Sequence, residues 1–250
     1  MKKSLIVALL FSGLTAGMAQ DYHDFIAQGK PVRAKILRFD TRKQEVTVQT
    51  DKKKTVKVPL SIFSEKDQEY VLQWEFNKIF LSESSFKIKA KRKETRDKDA
   101  SYGSSFNAKK VENSGYEITL ENKSTSKLEN LDVEYCIYYE QERATRGKQV
   151  TEDGVRYGTL DVGYMTPKSK KELMTKSVAI YTTELNADYH WVDGRENKQT
   201  GKVRGVWVKV NMKLENGETL SRNYCLPDGL RNSKVWTTSS KNVGMNNSRK

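Results

Sequence analysis

The sequence predicts a mainly β protein in which a small SH3-like barrel with a C-terminal helix precedes a seven-stranded β-sandwich. Three observations support this fold class. Apolar residues recur at every second position in short runs, polar turns separate the runs, and one segment has the start signal and spacing of a helix. We expect a signal peptide over residues 1–19, the barrel over 20–80, the sandwich over 84–236 and a disordered polar tail over 237–250.

The first 19 residues have the order of a secretory signal peptide. Lys2 and Lys3 precede an apolar stretch over residues 5–15, and the small residues Gly17 and Ala19 follow it. That stretch is too short to cross a bilayer core of about 30 Å as a helix. We therefore expect an exported protein, periplasmic or extracellular, that is not an integral membrane protein and begins near Gln20.

Three alternating runs and one helix signal define the predicted barrel. Pro59 ends the third run because proline cannot donate to a strand ladder. Ser64 has an acidic residue, Asp67, three positions on, which is a helix start of the capping-box type. The helix is expected to place Val71 and Trp74 against the strands and to end near residue 77. The alternating apolar residues are Val32, Ala34 and Ile36, then Val46 and Val48, then Val56 and Val58.

The segment from Gly29 to Trp74 resembles the SHD domain, the first homology domain of the fungal endocytic actin-patch adaptor, and its versions in exported bacterial proteins. The most specific part is VPLSIFSEKDQEYV, which begins at Val58. Two positions depart from the family. Phe63 stands where Leu is usual, and Phe25 is the only aromatic candidate where a Trp is expected before the first strand.

The resemblance implies a small barrel that captures short peptide signals. It also implies adaptor activity, cytoskeletal-protein binding, ubiquitin binding and self-association. Because the predicted signal peptide directs export, only self-binding among these partners fits this chain.

Residues 84–113 are rich in Lys and Arg. Phe86, Ile88 and Ala90 alternate with lysines, which predicts an edge strand guarded by charge, with the basic run as a solvated face rather than a polyanion site. Residues 97–114 have no pattern and predict a mobile loop.

Six further runs predict the rest of the sandwich. Together with the strand at Phe86 they give seven strands separated by polar turns, as in an immunoglobulin- or fibronectin-like fold. The runs are residues 116–120, 131–139, 158–164, 173–185, 203–214 and 220–226.

The sequence contains no recognisable catalytic site. His23 and His190 are the only histidines, and neither has a nucleophile and an orienting acid in a recognisable arrangement. Residues 188–194 resemble a calcium loop, but Tyr189 and Trp191 occupy positions that need acidic ligands. We therefore predict a protein that is not an enzyme and that uses no cofactor and no metal.

Two surfaces are candidates for ligand binding. The first is Tyr189, His190 and Trp191 on a long loop, where exposed aromatics offer contact area at low entropy cost; the alternative is that Trp191 covers the sandwich core. The second is a basic surface on the barrel, whose alternative role is to block edge pairing. Its residues are Arg33, Lys35, Lys53, Lys54 and Lys57.

The formal net charge of +13 favours an anionic partner. No nucleic-acid-binding signature accompanies this charge. We therefore expect a protein or peptide, or an acidic envelope polymer, and no nucleic acid. The predicted function is a non-catalytic binding or adaptor module of the bacterial cell envelope; the alternative is a structural, self-associating envelope protein.

Two cysteines, Cys136 and Cys225, lie far apart in the sequence. This spacing excludes a zinc knuckle or a CxxC redox centre. In an oxidising compartment it leaves either one long-range disulfide or two buried thiols.

Overall fold

The chain divides into two units between Glu75 and Phe76. A computed structural model describes residues 22–145, 148–186, 188–190, 196–215 and 217–242. The predicted signal peptide and Gln20 lie outside the described residues. The sequence placed the domain boundary after residue 80, whereas Phe76, Ile79 and Phe80 pack into the core of the second unit.

The first unit is built on a four-stranded antiparallel sheet whose strands follow chain order. The 3₁₀ turn Leu60–Ile62 comes next, and Phe63 then bridges back to Ala27 in the first strand. This return closes the sheet on the side of its first strand, as in an SH3-like barrel. The sequence did not predict that first strand. The strands are β1 His23–Ala27, β2 Lys30–Asp40, β3 Glu45–Thr50 and β4 Thr55–Pro59.

The predicted alternation accounts for the core of this unit. Ala34 and Ile36 are buried, and an irregular register after Ile36 brings Phe39 to the same side. Helix α1, Glu65–Leu81, begins at the predicted capping pair. The backbone N–H of Asp67 donates to Ser64 Oγ at 3.3 Å, and Ser64 Oγ donates to the Asp67 carboxylate at 2.7 Å.

The second unit contains two antiparallel sheets that form a β-sandwich, which confirms the mainly β fold class. Among the described residues it has nine strands rather than seven. The first sheet has five strands, which are β5 Phe86–Gly103, β6 Asn107–Asn122, β9 Lys170–Met174, β10 Val178–Leu185 and β11 Lys198–Gln199. The second has four strands, which are β7 Leu128–Thr145, β8 Lys148–Met165, β12 Gly201–Lys213 and β13 Thr219–Leu226. The five-stranded sheet has the order β11-β10-β6-β5, with β9 also paired to β6, and the four-stranded sheet has the order β13-β12-β7-β8.

Apolar residues from both sheets form one core. Ile118 and Leu120 of β6 lie in the same cluster as Val133, Tyr135 and Ile137 of β7. These residues occupy alternate positions of their strands, as expected for strands with one buried face. Burial of such a face is the main favourable contribution to a sandwich of this kind.

Two predicted segments of the sandwich differ from the structure. Residues 97–114 were expected to be a mobile loop, but most of them belong to the paired strands β5 and β6, in the part of this hairpin next to its turn. Residues 173–185 were expected to be one strand, but β9 ends at Met174 and β10 begins at Val178. The break arises because Thr175 Oγ1 accepts the Tyr116 N–H at 2.8 Å and Tyr135 Oη accepts the Lys176 N–H at 2.9 Å.

Residues 227–242 form a C-terminal strap on the outer face of the four-stranded sheet. The strap includes the short helix α2, Leu230–Ser233. Tyr138 Oη of β7 donates to the Val235 carbonyl at 2.8 Å, and Lys241 bridges to Val155 of β8. The sequence assigned residues from 237 onward to a disordered tail, whereas the chain is bonded to the sheet through Lys241; residues 243–250 lie outside the described residues. Within the described ranges, no helix combines the length and apolar character needed to cross a membrane.

Candidate functional site

The basic residues predicted on the barrel lie on one face of its sheet and on one turn. Arg33 and Lys35 have the opposite parity to the buried residues of β2, and Lys57 has the opposite parity to the half-buried residues of β4. Lys53 and Lys54 occupy the β3–β4 turn. This turn contacts β2, because the Asp51 N–H donates a hydrogen bond to the Arg33 carbonyl at 3.2 Å. Arg33 pairs with Asp24 in the register of β1 and β2. These acidic neighbours reduce the local positive charge at that end of the sheet.

The aromatic loop residues predicted as a binding site are exposed where the structure describes them. Tyr189 is 42% exposed and meets Phe106 of the β5–β6 turn edge-on, with ring centroids 6.0 Å apart. His190 Nδ1 lies 3.1 Å from the Asn197 side-chain amide. Trp191 lies outside the described residues, so its role stays a prediction.

One asparagine holds the aromatic loop to the β5–β6 turn. The Asn186 side-chain amide donates to the carbonyls of Ser104 and Ser105 at 3.0 and 2.9 Å, and its backbone N–H donates to the Phe106 carbonyl at 3.0 Å. No local pattern indicates that these two segments meet, because about 80 residues separate them in the chain.

Next to this turn lies a groove of about 680 Å³, which we call the basic groove. It crosses strands β5, β6, β10 and β11. Lys198 pairs with Glu184 at 3.2 Å and Lys110 pairs with Glu112 at 2.6 Å. Within the described part of the chain, Arg96, Lys98 and Lys109 form no ion pair. The lining residues are Arg96, Lys98, Ser101, Tyr102, Gly103, Ala108, Lys109, Lys110, Thr182, Glu184 and Lys198.

The groove exists because the β5–β6 hairpin is longer than the sandwich core. Along β6, Leu120, Ile118 and Tyr116 are buried, and the same alternation continues to Glu112 and Lys110. The face that packs into the core at one end of the strand is therefore polar at the other end. Sequence analysis missed this site because the hairpin has no apolar alternation beyond the core, and only backbone pairing shows that it is a strand.

The predicted non-catalytic histidine His23 is part of a polar cluster in the barrel. Its Nε2 lies 2.9 Å from Asp67 Oδ1, and its ring stacks on Tyr70 with centroids 3.9 Å apart. Burial raises the pKa of Asp67, but hydrogen bonds from Ser64, from the Ile26 N–H and from His23 outweigh it and leave that pKa below its ordinary value. This arrangement stabilises the junction of β1 with α1.

Cys136 and Cys225 are both free and both buried. Of the two alternatives that the sequence left open, a disulfide does not fit this arrangement, because β12 lies between β7 and β13. Trp207 pairs with Cys136 on one side and with Cys225 on the other. Two strand spacings amount to about 9 to 10 Å, more than the roughly 7 Å that a disulfide can span. The alternative of two buried thiols agrees with the structure, and burial raises the pKa of both.

In the described ranges, no three His, Cys, Asp or Glu side chains come together in a way that could hold a metal ion. The calcium-loop segment considered above falls partly outside those ranges.

No family model matches the chain. No curated protein matches it either. Among solved structures, the chain is similar to one described as the X-ray structure of Northeast Structural Genomics Consortium target SoR45. The two sequences are 12% identical, the match covers 57% of this chain and 86% of that chain, and the TM-score is 0.24. A likeness of this size carries no argument about fold or function.

Proposed function

We propose that this protein is an exported, non-catalytic binding module of the bacterial cell envelope that holds an extended acidic ligand in the basic groove. The observation that carries the proposal is the excess of cations in a concave surface, because Arg96, Lys98, Lys109, Lys110 and Lys198 line it together with one carboxylate, Glu184. An acidic peptide is the ligand class that we test first.

The charge of the groove favours an anion. Five basic side chains and one carboxylate line it, so an acidic segment gains attraction over the whole length of the groove. An extended ligand also suits the geometry, because the groove crosses four strands rather than forming a closed cavity.

Exposed aromatics at the groove add contact area. Tyr102, which lines the groove, is 54% exposed, and Phe106 in the adjoining turn is 55% exposed. Aromatic side chains contribute large contact area with little loss of side-chain entropy, which is why they are frequent in binding surfaces. Tyr189 is held next to Phe106 and belongs to the same surface.

We further propose that the first unit is an SHD-type domain and contributes an adaptor function through peptide binding. The support is the VPLSIFSEKDQEYV segment together with the four-stranded sheet that Phe63 closes onto β1. Its outward Arg33, Lys35 and Lys57 form a second, weaker basic surface, because Asp24 and Asp51 lie beside Arg33.

The test is a titration of the mature chain with a fluorescently labelled hexaglutamate peptide at low salt. We expect saturable binding that weakens as salt rises from about 0.05 to 0.5 M, because the Debye length falls from about 14 to about 4 Å. The variant Lys98→Glu/Lys109→Glu should lose about tenfold or more in affinity. The matched control Lys43→Glu/Lys66→Glu makes the same charge change at two exposed lysines of the first unit, outside both basic surfaces, and should stay within about threefold of the parent.

Equal losses in both double variants would show that net charge, rather than the basic groove, attracts the peptide. No binding at low salt, together with oligomers that grow with protein concentration, would favour the structural, self-associating alternative.

A further inference from the structure

The outer face of the four-stranded sheet carries a second groove, which shares no lining residue with the basic groove. The C-terminal strap covers one half of this face, above Cys136, Tyr138 and Cys225. The other half is open and forms a groove of about 580 Å³, which we call the polar groove. Its lining is Asp132, Glu134, Thr159, Leu160, Asp161, Lys209, Asn211, Lys213, Thr219 and Ser221.

Asn211 is the centre of a fixed hydrogen-bond network in this groove. Its side-chain amide donates to Asp132 Oδ2 at 2.9 Å and to Glu134 Oε2 at 3.2 Å. Ser221 Oγ donates to Asn211 Oδ1 at 2.6 Å. Asn211 is only 8% exposed, so the network holds the two carboxylates in a set geometry before any ligand arrives. Such preorganisation lowers the entropy cost of binding.

Glu134 and Tyr157 have defined protonation states. Tyr157 Oη donates to Glu134 Oε1 at 2.6 Å. Burial raises the pKa of Glu134, but hydrogen bonds from Tyr157 and Asn211 and the nearby Lys209 lower it below its ordinary value. The same hydrogen bond is the largest cause that raises the pKa of Tyr157 to about 12. At neutral pH the groove therefore presents an ionised acceptor beside a protonated phenol.

The charges in the polar groove nearly balance. Three carboxylates, Asp132, Glu134 and Asp161, face two ammonium groups, Lys209 and Lys213. This balance gives no strong attraction to a polyanion or a polycation, in contrast with the basic groove. Hydroxyls of Thr159, Thr219 and Ser221 add both donors and acceptors.

An aromatic cluster borders the polar groove on the strap side. Lys209 Nζ lies 4.1 Å from the ring centroid of Trp236. Trp236 meets Trp207 and Tyr157 edge-on, with centroids 5.7 and 6.4 Å apart. The three rings are partly exposed, and the apolar face of a ring is a surface on which the C–H groups of a sugar can pack.

We propose that the polar groove binds a neutral oligosaccharide. The ligand class follows from three features together: a dense set of fixed donors and acceptors, balanced charge, and aromatic rings at one border. Neighbouring strands are about 4.8 Å apart, a spacing comparable with the width of one sugar ring. A sugar therefore meets side chains of two or three strands at once.

The test is an NMR titration of the mature, isotope-labelled chain with hexasaccharides of glucose and of N-acetylglucosamine at millimolar concentration. We expect saturable shifts at β7, β8, β12 and β13 with at least one of the two sugars. The affinity should be the same at about 0.05 and 0.5 M salt, because a neutral ligand is not screened.

Two variants locate the site. Asp161→Ala removes an exposed lining carboxylate without opening the core, and Asn211→Ala removes the centre of the network; each should weaken binding by about tenfold. The variant Lys98→Glu/Lys109→Glu should leave the affinity for the sugar unchanged, because both substitutions lie in the basic groove on the other sheet. The sugar titration therefore tests the polar groove independently of the acidic-ligand proposal.

Two outcomes of the sugar titrations would overturn the inference. One is the absence of saturable shifts with both sugars. The other is an affinity that neither Asp161→Ala nor Asn211→Ala changes. Shifts at the polar groove caused by hexalysine instead of the sugars would assign it to a basic peptide and would equally contradict a sugar site.

Discussion

Single buried polar residues make connections in this protein that their sequence neighbours do not indicate. The sequence identifies Asp67 only as the partner of Ser64 at a helix start. In the structure its carboxylate also accepts the Ile26 N–H at 2.7 Å and pairs with His23 at 2.9 Å. One side chain therefore joins β1 to α1, and its ionisation contributes to the stability of the barrel.

Asp67→Asn should destabilise the first unit at pH 7. The folded-state pKa of Asp67 is lowered from 3.8, so its contribution is present above that value and is lost as pH falls through the folded pKa. We expect a loss of about 1.5 to 3 kcal/mol at pH 7, the range for hydrogen bonds to a charged group. Urea unfolding between pH 7 and pH 2 should show a smaller acid dependence in the variant than in the parent. The exposed Asp24→Asn is the control, and an unchanged acid dependence in Asp67→Asn would contradict the assignment.

Asn122 is a second residue whose role depends on tertiary contacts. It is fully buried, and its amide donates to the carbonyls of Ser126 and Thr166 at 2.8 and 3.0 Å. Its Oδ1 accepts the Ser124 hydroxyl at 2.7 Å. These hydrogen bonds connect the C-terminal end of β6 to the loop that follows it and to the loop that follows β8.

Asn122→Ala should lower the free energy of unfolding by about 2 to 4 kcal/mol, because it removes several hydrogen bonds of a fully buried side chain, to the Ser126 and Thr166 carbonyls and from Ser124. Chemical denaturation followed by circular dichroism measures the change. The exposed Asn242→Ala should stay within about 0.5 kcal/mol of the parent. Comparable effects of the two substitutions would argue against a structural role for Asn122.

At the scale of elements, the C-terminal strap converts outward sheet positions into a second small core. Cys136, Tyr138 and Cys225 point away from the main sandwich core, yet all are buried against Leu230 of the strap. Alternation alone predicts that these residues face solvent. The strap reverses that expectation because its own apolar residues cover them.

Leu230→Ala should destabilise the second unit by about 2 to 5 kcal/mol and expose the two thiols. Leu230 is 3% exposed, whereas Val235 of the same strap is 85% exposed, so Val235→Ala is a matched control with almost no expected effect. Reaction with a thiol reagent under native conditions should be slow in the parent and in Val235→Ala, and faster in Leu230→Ala. Unfolding without reductant should release both thiols, since no disulfide joins them. Equal thiol reactivity in all three proteins would contradict the covering role of the strap.

At the scale of the whole molecule, the two units have separate cores. The barrel cluster and the sandwich cluster share no residue. Val46 and Val133 are both fully buried, one in each cluster. Each substitution to alanine removes a similar apolar volume, so the pair tests whether the units unfold separately.

Val46→Ala and Val133→Ala should each cost about 1.5 to 3 kcal/mol in their own unit. Differential scanning calorimetry should show two transitions, of which each substitution lowers one. A single transition that both substitutions lower equally would show that the units unfold together.

Local physical chemistry alone determined the fold class of this protein and many of its elements. Period-2 alternation at Ala34, Ile36, Val46 and Val48 identified the barrel strands, since a strand with one buried face must alternate. The capping pair at Ser64 identified the start of α1 in the same way. These signals are local, so a single sequence contains them in full.

Only the tertiary structure decided which distant segments meet. Long-range pairing determines three features of this protein. They are the part of the β5–β6 hairpin beyond the core, the position of β12 between Cys136 and Cys225, and the strap over the outer sheet face. Both candidate grooves lie on such pairings. The residues of the basic groove lack periodicity, and hydrogen bonds between backbones do not depend on side-chain type, so the local sequence does not distinguish these residues from a solvated loop. The residues of the polar groove lie on strands that the alternation predicts, but the alternation does not show which strands pair or which outward positions the strap leaves open.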